Sequence, residues 1–230
     1  MSPSDVVFLF DVDNTLLDND QVVADLSAHL EKQFGAPARA RYFALFEELR
    51  NKLGYADYLG TLQQYRRENS HDVRLLEVSA FLLDYPFAQR LYPGALEAVA
   101  YCQQRAKVAV LTDGDVVFQP RKVERSGIQT AVGGNVLIYV HKEQMLADIE
   151  QWYPARHYVM VEDKLRILNA MKRQWTDCLT TVFVRQGHYA YDPEILQQYP
   201  PADHNLERIG DLPQCVDAIL AELQIAKVSR

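Results

Sequence analysis

Five short runs in this chain are apolar with almost no polar interruption: VVFLF at 6–10, VAVL at 108–111, VLIYV at 136–140, YVMV at 158–161 and TVFV at 181–184. A strand with one wet face alternates apolar and polar residues, and these do not. Runs rich in β-branched and aromatic residues without alternation are strands buried on both faces, the signature of a parallel sheet covered by helices on each side. Helical patterns lie between them. The reading is an α/β chain with a Rossmann-like doubly wound parallel sheet as its core.

The spacing of the runs is uneven. Residues 11–107 separate the first two, far more than one crossover helix needs. Val23, Leu26, Leu30 and Phe34 recur at helical spacing and stop at Gly35; Tyr42, Leu45, Phe46, Leu49 and Leu53 do the same and stop at Gly54. Tyr58, Leu62 and Tyr65, then Val73, Leu76 and Leu83, continue the pattern less cleanly. Tyr92-Pro93-Gly94 marks the return to the core before a helix from Ala95. The expected organisation is a core of residues 1–16 and 92–230 with a small all-α insertion of about four helices at 17–91.

Composition limits the function classes. A 230-residue chain that is 48% hydrophobic can bury a sizeable core, and a net charge of −7 disfavours a broad surface for nucleic acid or anionic membrane. The amino terminus lacks a basic segment followed by an apolar run, and no stretch approaches the ~20 apolar residues of a membrane span. The expectation is a cytoplasmic protein of unspecified oligomeric state. Cys102, Cys178 and Cys215 form no disulfide framework or CxxC pair and are read as reduced thiols.

The first run continues as FLFDVDNTLL, placing Asp11 and Asp13 just beyond a buried strand. Ligands of open α/β sheets bind beyond the carboxyl ends of their strands. Two carboxylates a residue apart repel unless a proton or a cation intervenes, and a divalent cation prefers such oxygens. Alone, Asp-Val-Asp-Asn-Thr would equally serve as a helix cap or turn.

Later segments extend the pattern. FLFDVDNTLL resembles the first motif of the haloacid dehalogenase-like superfamily, an apolar strand followed by Asp-x-Asp-x-Thr. VAVLTDGD resembles the second motif, ending its strand at Thr112; Lys142 falls where the third places a lysine; YVMVED resembles the fourth, with Glu162 and Asp163 as its acidic pair. The helical insertion resembles the family's cap between the first and second motifs. The resemblance spans nearly the whole chain.

It implies a Mg²⁺-dependent phosphohydrolase acting on a small-molecule phosphate monoester. Asp11 would be the nucleophile that forms an aspartyl-phosphate, and Asp13 the general acid and base. Thr112, Asp113 and Lys142 would face the phosphoryl group, with Lys142 neutralising charge. The metal would be held by Asp11, the Asp13 carbonyl and an acid from Glu162 or Asp163, with Asp163 preferred. Asp113 stands where many relatives carry Asn or Ser, and Glu143 follows Lys142 where proline is common. Asp13 argues against a 2-haloacid dehalogenase, since a halide leaves without a proton. The same motifs would also serve a phosphomutase, or a catalytically idle regulatory or binding protein built on this scaffold. Candidate anion contacts in the insertion are Arg39, Arg41, Arg50, Lys52, Arg66, Arg67, Arg74 and Arg90, while His188 reads as a surface-loop histidine.

Overall fold

A computed structural model describes residues 5–228. Six strands form one all-parallel sheet: β1 (Val6–Phe10), β2 (Lys107–Asp113), β3 (Val136–Tyr139), β4 (His157–Glu162), β5 (Leu179–Val184) and β6 (His204–Leu206), in the order β3-β2-β1-β4-β5-β6. β1 lies between β2 and β4, with Phe8 opposite Val108 and Val159. The chain builds outward through β2 and β3 on one side, then returns to add β4, β5 and β6 on the other. The crevice beyond β1 and β4 is therefore the point where strand order reverses, where such sheets bind ligands.

Both faces of the sheet are buried, as the unbroken runs predict. Phe8, Phe10, Val108, Val110, Val159, Val161, Val182 and Val184 enter one apolar cluster; Val7, Leu9, Ala109, Leu111, Met160 and Phe183 enter the other. Alternation thus survives in which face each residue serves, while neither face is polar. The sixth strand was not among the predicted runs. His204-Asn205-Leu206 is short, polar and at the sheet edge, so it carries no apolar signal.

Between β1 and β2 the chain forms α1 (Asn19–Phe34), α2 (Ala36–Leu53), α3 (Tyr58–Glu68) and α4 (Leu75–Asp84), followed by α5 (Ala95–Gln103). α1 is capped by Asp18, whose side chain accepts from the Gln21 amide, and α2 ends at Gly54 in the left-handed conformation. α1 buries Val22, Leu26 and Leu30, so the row is shifted one residue from the expected Val23. The Val73 and Leu76 expectation is corrected: both face solvent, and α4 buries Leu75, Val78 and Leu82 instead. In a run where nearly every position is apolar, periodicity does not select the buried face. Buried residues of all four helices belong to the same cluster as the Phe8 face of the sheet.

The helices join the sheet through two adjacent crossings. Asp18 N donates to Arg90 O at 2.7 Å and Tyr92 N to Leu16 O at 2.9 Å, with an antiparallel bridge between Leu17 and Leu91.

After β2 follow α6 (Phe118–Arg125) and α7 (Ile128–Ala131); α8 (Leu146–Trp152) follows β3, α9 (Leu165–Trp175) follows β4, α10 (Pro193–Gln198) follows β5 and α11 (Leu212–Val228) closes the chain. No described helix is long and apolar enough to cross a membrane.

Candidate active site

The sheet carries Asp11 directly: its amide still donates to Val161 O at 3.0 Å, after which the chain leaves the strand. The Val12 carbonyl then accepts from the amides of Thr15, Leu16 and Leu17, a tight turn that puts Asn14 at φ 61°. Asparagine is among the few side chains that tolerate this region. Its Oδ1 accepts from the amides of Asn19 and Asp20, and its Nδ2 donates to Asp20, tying the turn to the start of α1.

Asp11, Glu162 and Asp163 are all buried and bring carboxylate oxygens within 4.8 Å of one another. One cation lies among them. Lys142, only 1% exposed, places Nζ 2.5 Å from Asp11 Oδ1 and 2.6 Å from Glu162 Oε2, and donates to the Leu111 carbonyl at 3.1 Å. The Glu162 contact is an ion pair whose angles fall short of a hydrogen bond. Burial alone would lower the lysine's pKa, but attraction to Asp11, Glu162 and Asp113 outweighs it and holds the ammonium charged above its ordinary range.

The fourth-motif acids divide by partner. Glu162 is engaged on both oxygens, by Lys142 and, at 3.1 Å, by the Lys164 amide entering α9. Asp163 has no hydrogen-bond partner on either oxygen, and neither does Asp11 Oδ2. Burial pushes the Asp163 carboxyl well above its usual range; Lys164 opposes the shift, and nearby Glu162 and Asp11 add to it. A buried polar atom without a partner is costly, so a set of them facing one another suits a cation. Three oxygen donors of this type match Mg²⁺ or another hard divalent ion.

Thr112 and Asp113 end β2 beside this cluster. Thr112 is buried and its hydroxyl accepts from Gln119 Nε2 at 3.0 Å. Asp113 accepts from the Lys142 amide at 2.8 Å, fastening the β2 and β3 loops together. Burial pushes its carboxyl up to about 6, with Lys142 opposing. Its negative charge is therefore lost on acidification more readily than that of an ordinary aspartate.

Asp13 has a partner that sequence reasoning missed. Lys122 on α6 is fully buried, with Nζ 2.6 Å from Asp13 Oδ1 and 2.9 Å from Asn19 Oδ1. It lies in FQPRKVER, where nothing local distinguishes it from Arg121 or Arg125. Gln119 was missed for the same reason.

A cavity of about 1180 Å³ opens over these loops, lined by Asp13, Asp113, Lys164 and His188 and by Phe46, Arg50 and Tyr58 of the inserted helices. Of the eight basic candidates, Arg50 is the one that lines it. Arg39, Arg41, Arg74 and Arg90 pair instead with Glu31, Glu68, Asp72 and Asp25. His188 is exposed, as expected for a loop, and its Nδ1 lies 2.7 Å from Asp20.

A parallel sheet with a buried acid–lysine cluster at its switch point, covered by an inserted helical bundle, defines a Rossmann-like α/β fold. Residues 6–173 match the model of the haloacid dehalogenase-like hydrolase family, and the chain belongs to that family. A crystal structure from Burkholderia xenovorans, described as a haloacid dehalogenase-like hydrolase, is 62% identical; the match covers 91% of this chain and 97% of that one, with a TM-score of 0.87. Two others share the fold at 18% identity. They are a haloacid dehalogenase-like family hydrolase from Xanthomonas campestris (95% and 93% coverage, TM-score 0.65) and the L-2-haloacid dehalogenase of Xanthobacter autotrophicus (93% and 98%, TM-score 0.60). Among curated proteins none matches the chain.

Proposed function

We propose that this hydrolase is a phosphatase that releases inorganic phosphate from a small-molecule phosphate monoester. The observation that carries the reading is Asp13, a second carboxylate two residues beyond the buried Asp11 and held by Lys122. Asp11 attacks phosphorus and forms an aspartyl-phosphate while the ester oxygen departs; Asp13 protonates that oxygen, then takes a proton from the water that cleaves the acyl phosphate. Lys142 pairs with Asp11 and offsets charge on the phosphoryl oxygens, and the Thr112 hydroxyl donates to one of them. Residues 17–91 act as a cap that closes over the cavity and excludes bulk water.

The residues fit Mg²⁺, with Asp11 Oδ2 and Asp163 as carboxylate ligands and the Asp13 carbonyl as a third; Glu162, committed to Lys142, acts one step behind them. When bound, the ion supplies positive charge that stabilises the phosphoryl oxygens. Dehalogenation is the weaker reading. The Xanthobacter enzyme shares only the fold at its identity, and a halide leaving group has no use for Asp13. We also read the protein as cytoplasmic, since Cys102, Cys178 and Cys215 are all free thiols.

A panel of phosphate esters, assayed with Mg²⁺ and with chelator, tests this. We expect chelator-sensitive phosphate release, its near-complete loss in Asp11→Asn, and a drop of roughly 10²- to 10⁴-fold in kcat for Asp13→Asn. Full activity in Asp11→Asn, or halide release from 2-chloropropionate without phosphate release from any ester, overturns it.

A further inference from the structure

The cavity's charges are mostly committed. Arg166 pairs with Glu143 at 2.7 Å and His188 with Asp20 at 2.7 Å. Among the carboxylates, Asp13 is taken by Lys122, Asp113 accepts the Lys142 amide, and Asp20 accepts from Asn14 and His188. Two cations remain. Lys164 lines the cavity and forms no close ion pair with a described carboxylate, although Asp163, Glu162, Asp11 and Asp13 attract its ammonium through space and hold it charged. Arg50 has only Glu47, at 3.4 Å on the same exposed helical turn, a pair of little strength in water.

These cations converge on one side chain. Tyr189, in the loop after β5, accepts a hydrogen bond from Arg50 Nη2, whose guanidinium lies 5.9 Å from the ring centre; Lys164 Nζ lies 5.3 Å from that centre. The tyrosine therefore gathers a cation from the inserted helices and one from the turn between β4 and α9. Beside them is an aromatic wall, in which Phe46 and Tyr58 stack at 4.9 Å and Phe43 and Tyr55 line the same space. A volume of about 1180 Å³ far exceeds what a phosphoryl group alone fills.

We propose that Arg50, Lys164 and Tyr189 form a second anion subsite, so that the substrate is a phosphate monoester with a flat or aromatic body bearing a further anionic group, carboxylate or phosphate. The inference rests on the reading of the Asp11 cluster as the phosphoryl site. Arg50 and Lys164, neither held by a close, strong ion pair and both placed against Tyr189, are prearranged for an anion, because binding it costs little side-chain ordering. Planar guanidinium matches either oxyanion with two parallel hydrogen bonds.

The test uses non-hydrolysable ligands, so that it does not depend on turnover. Calorimetric affinities of the whole protein with Mg²⁺ are measured for benzylphosphonate, 4-(phosphonomethyl)benzoate and 1,4-xylylenediphosphonate. At least one doubly anionic ligand is expected to bind about tenfold tighter than benzylphosphonate, the worth of one charge-assisted hydrogen bond, and the better of the two identifies the second anion. Arg50→Gln, Lys164→Met and Tyr189→Phe are each expected to reduce that preference at least about threefold. Equal affinity for all three ligands overturns the subsite. A preference untouched by every variant, or Lys164→Met weakening all ligands alike, overturns its assignment to these residues. If no phosphonate binds, the phosphoryl-site reading falls and takes this inference with it. A preference that persists while neither 4-carboxyphenyl phosphate nor any ester of the panel releases phosphate supports the subsite and refutes only the phosphatase reading.

Discussion

Lys142→Met removes the cation between Asp11 and Glu162 while keeping most of the side-chain volume. In the wild-type protein the lysine side chain is 1% exposed, against 3% for Asp11 and 0% for Glu162, so no water replaces it without rearrangement. Breaking a buried pair by deleting one partner typically costs about 3–5 kcal/mol, a large share of a total stability of about 5–15 kcal/mol. The loss has a pH signature. Lysine itself stays charged in both states across the neutral range, so the change comes from the abandoned carboxylates. A buried carboxyl without a cation takes up a proton, its pKa in the folded variant rising above its unfolded value. Stability of that kind is fully present below the unfolded pKa and disappears as pH climbs through the folded one, at about 1.4 kcal/mol per pH unit for one proton. The variant's deficit should therefore shrink as pH falls from about 8 to about 6, by at most about 1.4 kcal/mol per unit for one proton. Urea unfolding followed by tryptophan fluorescence, without Mg²⁺, measures it. A deficit under about 1 kcal/mol at about pH 8 that does not change on acidification would refute the claim that Lys142 holds the cluster together.

Asp113 supplies a second pH test: its carboxyl titrates at about 6 rather than 3.8, so ionisation costs stability as pH rises through that window. Asp113→Asn should match the wild type below about pH 4 and exceed it by about 1–2 kcal/mol above about pH 7, after discounting for partial exposure, as read from thermal melts across pH. Gly54 has φ +81°, and a Cβ there would sit 2.7 Å from His141 Cε1. Gly54→Ala should cost about 1–3 kcal/mol, and His141→Ala in the same chain should recover the contact portion but not the backbone portion, as a double-mutant cycle would resolve. Gly187, at φ +70°, would bring a Cβ within 2.5 Å of Asn14 Cβ. Gly187→Ala is expected to lower phosphate-ester kcat/KM at temperatures where circular dichroism shows the chain still folded, because the turn after Asp11 must move.

How much of the site was legible depends on where each residue lies. Asp11, Thr112, Lys142 and Asp163 sit at or just beyond strand ends, and a parallel strand delivers its carboxyl end to the same edge as its neighbours. Once the strands were recognised, the convergence of these residues followed. Lys122 and Gln119 come from helix α6, whose rotation about its own axis decides which side chains face Asp13 and Thr112. Tertiary packing sets that rotation. The same limit explains α4, where a nearly continuous apolar stretch left Leu76 indistinguishable from Leu75 until the helix was docked.

By itself the sequence determined the buried parallel strands, the interrupted spacing that announces the helical insertion, and the acids and lysine that strand ends must gather. Those properties are local, set by apolar runs and by residues tied directly to them. Only the tertiary structure decided that Glu162 pairs with Lys142 while Asp163 keeps both oxygens free, that Lys122 holds Asp13, and that of the eight basic candidates in the inserted helices Arg50 is the one that lines the cavity. Each is a choice among chemically equivalent neighbours, settled by ångström-scale distances between segments far apart in the chain.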